Sequence, residues 1–296
     1  MRRYLLTAIA TLLFAGTAMA EEALRLPLWH IKGEHNDVYL LASVHLLRAT
    51  DYPLPDGIYA AFDDAETVVM ELDMDDLDPR DAARIVTELG VIQGDGNLAA
   101  LLGNTEFARA TRLANAIGVP LDTMAKSEPW LAAMSIEQIL LARLGFDATL
   151  GLENHLLQRA LEAGKPIEGL ETLREQLEIL DRLPLDAQRT LVMTTLEDGP
   201  DIEHEMNELI DAWQRGDMRT MENIALEDMQ EQPTLYREIV VERNRNWTGQ
   251  IVNLLRHHDD YLVVVGALHL IGDDGVPAML HEKGFEALQM DRQLSP

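Results

Sequence analysis

Two histidines and a glutamate stand where apolar segments of this chain end. His45 follows YLLASV, Glu71 follows VVM and His269 follows VVVGAL. Neutral imidazoles and a carboxylate gathered in one place can bind a divalent metal, or they can form a general base with its orienting partner. Each residue alone is more typical of a satisfied core histidine or a solvated glutamate. The prediction of a site therefore depends on the three residues meeting.

The segments before these residues predict how they are positioned. Short apolar runs rich in valine predict buried strands, and in a sheet of parallel strands ligands bind beyond the carboxyl ends. Small residues at 42–43 and 266–267 precede the two histidines and leave room for close backbone approach. We therefore expect His45, Glu71 and His269 to converge at one edge of a sheet.

A helical segment nearer the C-terminus carries two polar residues on its apolar face. Steps of three and four residues from Val240 reach Arg243 and Asn244 and then lead on to Trp247. Because an unpaired buried guanidinium is very costly, Arg243 is expected to meet a carboxylate. That pair can be purely structural. Alternatively, Arg243 is a site cation that orients a catalytic carboxylate or stabilises an oxyanion.

Strands are predicted near both ends of the chain, with helices between them. The predicted strands are a hairpin that turns at Gly33 and Asn36, then segments 66–73, 165–171 and 261–269. A helix is predicted to start at Asp78–Pro79, and the later helices are broken at 199–200 and near Gly216. This order predicts an α/β or α+β fold, a mixed β-sheet with a large helical portion. Without a repeat or a linker-like segment, we expect one domain over residues 21–296.

The first 20 residues have the pattern of a secretory signal peptide. Two arginines precede an apolar run, and AMA precedes Glu21. The alternative is an uncleaved anchor helix, but the run is short for the ~20 residues of a membrane span. With no cysteine, neither a lipidated cysteine nor a disulfide is available. The expectation is a periplasmic or secreted bacterial protein without stable membrane association after cleavage.

The charge balance excludes several partners. Asp and Glu outnumber Lys and Arg by 51 to 24, and cleavage after Ala20 would remove two arginines and change the net charge from -27 to -29. Such a charge repels nucleic acid and anionic lipid surfaces. No cysteine nucleophile or G-x-S-x-G elbow is present. The expected partner is a peptide or another small substrate.

Several motifs, in their order, resemble the TraB/GumN family, which includes the TIKI proteases. They are ASVH, VMELD, GLE followed by LLQRALEAGKPIEGLETLREQLEIL, ERNRNW and VVVGALHLIGDDGV. The hallmark of that family is a pair of G-x-x-H motifs with a glutamate after the first. The second motif is intact from Gly266 to His269, whereas Ala42 replaces the glycine of the first.

The resemblance implies a metal-dependent hydrolase of the peptidase class. It also implies a mixed-sheet fold similar to erythromycin-esterase-like and ChaN-like haem-uptake proteins. Carried over by position, the family's metal or catalytic residues correspond to His45, Glu71 and His269. The RN pair on its helix corresponds to Arg243 and Asn244, and the glutamate of its GLET segment corresponds to Glu171.

Three functions stay open at this point. The first is a hydrolase in which His45, Glu71 and His269 bind Mn²⁺, Co²⁺ or Zn²⁺, which would lower the pKa of a bound water. The second is a metal-free hydrolase with a histidine general base oriented by Glu71. The third is a non-enzymatic periplasmic binding or accessory protein, for which Ala42 is the main argument.

Overall fold

The computed structural model describes residues 25–230 and 232–292. The predicted signal peptide and its cleavage site lie outside this part of the chain. Within it, no helix has both the length and the apolar character needed to cross a membrane. The predicted mixed α/β architecture is confirmed, since a mixed sheet is combined with many helices.

The described strands form a single mixed sheet in the order β4-β3-β5-β2-β1-β6. Their bounds are β1 Arg25–Lys32, β2 Asp37–Ser43, β3 Thr67–Leu72, β4 Ile167–Glu171, β5 Tyr261–Gly266 and β6 Ala287–Asp291. The neighbours from β4 to β2 are parallel, while β1 is antiparallel to both β2 and β6. The carboxyl ends of β2, β3, β4 and β5 therefore share one edge.

The strand sequences explain this arrangement. β5 is buried along its whole length between β3 and β2, as a continuous apolar run requires in a parallel sheet. β1 and β2 form the predicted hairpin, in which the backbone N–H of Gly33 donates to the carbonyl of Asn36 at 2.9 Å. Ser43 pairs with Gly266 in the ladder, so the two strands that precede the histidines end side by side.

Helices fill the segments between the strands. Their bounds are α1 Asp56–Asp64, α2 Pro79–Gly90, α3 Leu98–Leu102, α4 Asn104–Ala116, α5 Pro129–Arg143, α6 Leu152–Ala163, α7 Leu173–Asp181, α8 Leu185–Asp198, α9 Ile202–Arg215, α10 Met218–Ala225, α11 Glu227–Gln230, α12 Pro233–Tyr236, α13 Glu242–Leu254 and α14 Val276–Glu282. Asp78 caps α2 as predicted, because its side chain accepts from the N–H of Arg80. Gly216 ends α9 at φ +65°.

The segment that leads to Arg243 is helical, as predicted, but its geometry changes along its length. Arg237–Val241 form a π-helical turn between α12 and α13. Such turns interrupt α-helices mainly as single insertions and are frequent at functional sites. The apolar face that follows is as predicted, with Val240, Trp247 and Ile251 buried.

The buried side chains form two clusters. The larger one surrounds the sheet, and the smaller one is built by α3, α4, α5 and α8, with Leu98, Ile136 and Val192 fully buried. Helices α5, α7, α9 and α10 contribute walls to a cleft above the carboxyl edge of the sheet. The sheet thus provides the floor of the cleft and the helices its walls.

Candidate active site

His45, Glu71 and His269 come together around Gly266. A Cβ placed on Gly266 would lie 3.1 Å from Glu71 Oε1, 3.4 Å from His45 Nε2 and 3.6 Å from His269 Cδ2. The glycine leaves a gap between these side chains because it has no Cβ. The structure therefore brings the three sequence-predicted residues to one place, and their chemical role stays a prediction.

Glu71, on β3, is held by three donors. Its Oε1 accepts from the backbone N–H of Gly266 at 2.7 Å, and its Oε2 accepts from Arg243 Nη2 at 2.6 Å and Gln176 Nε2 at 3.1 Å. Burial opposes ionisation, but the positive charges facing the carboxylate and the Gly266 N–H lower the pKa of Glu71 to about 2. Glu71 is therefore an ionised acceptor in a fixed orientation.

Arg243, on α13, lies between two carboxylates. Its five N–H groups reach acceptors on Glu71, Glu171, His269 and the carbonyl of Ile239. The shortest contacts run from Nη2 to Glu71 and to Glu171, both at 2.6 Å. Since no N–H is left over, Arg243 orients these groups and is not available to an oxyanion in this arrangement.

Glu171, at the end of β4, is the second carboxylate on Arg243. Its side chain is buried, and Gln176 Nε2 donates to its Oε1 at 3.1 Å. Burial raises the pKa of Glu171, and the charge of Glu71 adds to this rise while Arg243 opposes it. Gln176 thus bridges both carboxylates, although sequence reasoning did not select it. Gln176 lies on a helix five residues after Glu171, and nothing in that position indicates from the sequence that its side chain belongs to the site.

His269 is a neutral, fully bonded imidazole. Its Nδ1 lies 2.7 Å from Oδ1 of Asn244, whose Nδ2 donates to the carbonyl of Asp274 at 2.7 Å. Because the Asn244 Oδ1 can only accept, these hydrogen bonds assign the imidazole proton to Nδ1. The Nε2 of His269 therefore accepts from Arg243 Nη1 at 3.0 Å. Burial lowers the pKa of His269 to about 3 against the pull of the Glu71 charge. Both ring nitrogens are therefore engaged.

His45 is held differently, by a residue that sequence reasoning did not select. Its Nδ1 donates to Oε1 of Glu153 at 2.6 Å, and Ser43 Oγ donates to the same oxygen at 2.5 Å. The Glu153 carboxylate raises the pKa of His45 to about 9. The side chain of His45 is 59% exposed, whereas that of Glu153 is 12% exposed. In the described part of the chain, no group bonds to His45 Nε2.

A sequence signal for Glu153 did exist, in the GLE segment that contributes to the family resemblance. A Cβ on Gly151 would lie 2.0 Å from the carbonyl oxygen of His45, so only glycine allows this approach. The N–H of Leu152 then donates to the carbonyl of Val44 at 3.1 Å. These contacts place the first turn of α6, with Glu153, against the histidine.

The cleft above these groups encloses about 450 Å³. Its floor contains Ser43, His45, Glu71, Arg243 and His269. Fifteen of its 23 lining residues are apolar, so the polar groups are confined mainly to the floor. A concave, largely apolar site with a few convergent polar groups is typical of small-ligand sites.

Comparison with known proteins identifies the family. The model described as the TraB/PrgY/gumN family matches residues 27–289. The chain belongs to the TraB/PrgY/gumN family. The match begins within β1 and ends within β6, and it includes all the residues of the site.

Relatives in this family extend over most of the chain. The uncharacterized protein YbaP of Escherichia coli (strain K12) is 24% identical over 242 residues, which cover 82% of this chain and 87% of YbaP. An uncharacterized protein of Treponema pallidum (strain Nichols) is 23% identical over 263 residues, covering 84% of this chain and 78% of that protein. No solved structure matches. The likeness to erythromycin-esterase-like and ChaN-like folds therefore stays a prediction.

The altered first motif of this TraB/PrgY/gumN protein is accommodated inside β2. Ala42 is fully buried, pairs with Val265 of β5, and accepts a hydrogen bond at its carbonyl from Trp213 Nε1 at 2.8 Å. The gap between the site residues lies at Gly266, one ladder position further along. The replacement of glycine by Ala42 therefore does not fill the gap.

The donor atoms of the site do not fit the metal that the family resemblance implies. Glu71 Oε2 and His269 Nε2 both accept from Arg243, so an ion bound to them would have to displace the guanidinium. His45 must lose its proton before it can ligate. Within residues 25–230 and 232–292, no group of three or more His, Asp or Glu side chains is arranged to hold a metal. Binding of Mn²⁺, Co²⁺ or Zn²⁺ stays a prediction, and we assign no step to it.

Proposed function

We propose that this protein is a hydrolase that cleaves a peptide or ester bond by proton transfer through His45. One observation carries the proposal. His45 Nε2 is the site imidazole nitrogen that faces the cleft without a bonded partner in the described chain, while Glu153 holds the opposite side of its ring. His269 lacks such a free nitrogen. A histidine oriented by a carboxylate is a common general base.

The proposed reaction is a water attack at the gap beside Gly266. Neutral His45 takes a proton from water at Nε2, and the water oxygen bonds to the substrate carbonyl carbon. When the C–N or C–O bond then breaks, His45 returns the proton to the leaving nitrogen or oxygen. Glu71 Oε1 lies on the other side of the gap and favours the imidazolium that forms in between.

The remaining residues position these groups. Arg243 holds Glu71 and His269 in place, and Asn244 fixes the tautomer of His269. Glu171 and Gln176 hold Arg243 and Glu71 from the side of β4. We assign them to positioning because their polar atoms face one another.

The metal-dependent form of the same hydrolysis is the second candidate. It is motivated by the grouping of His45, Glu71 and His269 around Gly266. It requires Arg243 to leave Glu71 and His269, and a neutral His45. This requirement distinguishes the two candidates, because only the second needs an added ion.

Hydrolysis assays test the proposal directly. The purified protein is incubated with N-acetyl peptide amides and p-nitrophenyl esters, first in EDTA and then with Mn²⁺, Co²⁺ or Zn²⁺. We expect turnover in EDTA and a loss of roughly 10²–10⁴-fold in His45→Gln, the usual contribution of general acid–base catalysis. Turnover that appears only with an ion supports the second candidate. The absence of turnover under all conditions contradicts both and favours a binding or accessory protein.

Gly266→Ala provides a sharper test of the gap. The new methyl group would stand 3.1 Å from Glu71 Oε1 and 3.4 Å from His45 Nε2, and it would narrow the gap in which the attacking water is proposed to bind. We expect kcat to fall at least tenfold. Gly249→Ala is the matched control, because a Cβ there meets nothing within 4 Å. Equal activities of the two variants would contradict the proposed position of the water.

A further inference from the structure

The walls of the cleft are made of apolar side chains from several helices. We define the apolar wall as Met134, Leu180, Met206, Leu209, Met221 and Ile239. Met134 is 37% exposed, which is unusual for a large apolar residue in this chain. Met134 lines the cleft, so it can contact an occupant.

Two properties of this wall bear on what can occupy it. Three of its six residues are methionines, whose flexible thioethers adapt to ligands of different shape. In addition, the positive charge of Arg243 is already directed at Glu71 and Glu171, while the carboxylate of Glu137 also lines the cleft. The six residues of the wall carry no cation, so an anionic group there would face Glu137, while the Nε2 of His45, unpaired among the described residues, lies at the floor.

The size of the cavity limits the occupant. At about 30 Å³ per water-sized group, its volume of about 450 Å³ corresponds to roughly 15 nonhydrogen atoms. This space holds one medium-length acyl chain or two apolar amino-acid side chains. It is too large for an acetyl group alone to fill.

We propose that the cleft binds substrates whose scissile carbonyl carries an uncharged, apolar group of about a dozen nonhydrogen atoms. The carbonyl lies at the floor beside Gly266, and the apolar group lies against the apolar wall. The expected hydrolysis rates rest on the proposed function, whereas the expected binding of apolar groups can be tested without hydrolysis. An acyl chain and an apolar peptide side chain share this chemistry.

Binding of neutral amides tests the wall independently of hydrolysis. Calorimetry compares butanamide, hexanamide and octanamide on the wild-type protein. We expect affinity to rise about fourfold per added methylene, the equivalent of about 0.8 kcal/mol per buried CH₂. A flat series would overturn the inference even if hydrolysis is observed. A rising series without any hydrolysis would leave the inference standing and contradict the proposed function.

Hydrolysis then distinguishes the two sources of the apolar group. One arm compares p-nitrophenyl butanoate, hexanoate and octanoate, and the other compares N-acetyl peptides with leucine or aspartate before the cleaved bond. A rise of kcat/KM with chain length identifies an acyl ester, and a preference of at least tenfold for leucine identifies a peptide. If hydrolysis is observed and neither series shows a preference, the inference is wrong.

A matched pair of variants locates the effect. Met134→Asp places a charge in the apolar wall and should lower octanamide affinity at least tenfold. Leu185 has the same exposed fraction of 37% and does not line the cleft, so Leu185→Asp should leave the affinity unchanged. Circular dichroism checks that both variants fold. Equal affinities of the two folded variants would contradict binding at the wall.

Discussion

The two histidines of the site have pKa values shifted in opposite directions. The charge of Glu153 favours the imidazolium form of His45 and raises its pKa to about 9, whereas burial lowers the pKa of His269 to about 3. Environments that push two pKa values apart commonly separate catalytic roles. In the proposed reaction, this difference fits proton transfer at His45 and a fixed, neutral His269.

The pH dependence of catalysis follows from His45. As a general base it must be neutral, so kcat/KM should rise about tenfold per pH unit and level off near the pKa of about 9. Glu153→Gln removes the largest cause of the raised pKa and should move the plateau toward 6.5. Glu162→Gln, exposed on the same helix, is the control. A profile that does not respond to Glu153→Gln would contradict the assignment.

The same pKa values affect stability with opposite signs. The raised pKa of His45 stabilises the fold below about pH 6.5, and this contribution is lost as the pH rises through about 9. The lowered pKa of His269 acts in the other direction, because stability is lost as the pH falls from about 6.5 toward 3. These two histidines therefore contribute most to the stability of the fold near neutral pH.

At the scale of elements, α13 and its π-helical turn determine where the guanidinium lies. Arg243 and Asn244 follow the turn within the first residues of α13, and both point to the carboxyl edge of the sheet. Helix α9 contacts β2, the strand that precedes His45, because Trp213 Nε1 donates a hydrogen bond to the carbonyl of Ala42. Two helices thus align the strands that carry the two histidines.

Removal of the guanidinium should be costly. Arg243→Ala leaves Glu71 and Glu171 facing each other while both are buried, and we expect a loss of roughly 3–5 kcal/mol in the free energy of unfolding. Arg245→Ala is the matched control on the same helix, since its pair with Glu242 is exposed and should contribute less than about 1 kcal/mol. Urea unfolding measures both. Similar losses would show that the buried network is not a special source of stability.

The contribution of the hydrogen bond between α9 and β2 to stability can be measured by comparing substitutions at two tryptophans. Trp213→Phe removes the donor to Ala42, whereas the Nε1 of Trp130 has no partner among the described residues. Both tryptophans are fully buried, so each substitution by phenylalanine removes the same buried ring volume. Trp213→Phe should cost about 1–3 kcal/mol more than Trp130→Phe in thermal or urea unfolding. Equal costs would mean that this bond contributes nothing measurable to stability.

At the scale of the whole molecule, the cleft lies where the helical core meets the sheet. Helix α5 contributes to the smaller cluster and to the cleft. Ile136 packs in the smaller cluster, while Met134 and Glu137 line the cleft. The buried side chains of the smaller cluster do not line the cleft, so α5 connects that cluster to the cleft wall through Met134 and Glu137. This arrangement places the polar floor at the carboxyl edge of the sheet and the start of α13, and the apolar wall on the other helices.

Export concerns the whole chain and stays a proposal based on its first 20 residues. We expect the mature protein to begin at Glu21 and to be released with the periplasmic fraction. N-terminal sequencing or mass spectrometry of the protein from its native host provides the measurement. An intact Met1 in the membrane fraction would contradict a soluble, processed protein.

Much of the fold was predictable because its signals are local. The valine-rich strand, the hairpin turn at Gly33, the cap at Asp78 and the stop at Gly216 each depend on a few neighbouring residues. The site residues on strands and on α13 were selected for the same reason. A polar residue at the end of an apolar strand, or within an apolar stripe, is visible in the sequence.

Only the tertiary structure decided which groups meet and what charge they carry. Glu153 lies 108 residues from His45, and their contact depends on how α6 packs beside β2. The protonation of each histidine depends on burial and on charges from distant segments, as does the engagement of Arg243 by two carboxylates. These are sums over neighbours in space, so a local sequence pattern cannot encode them.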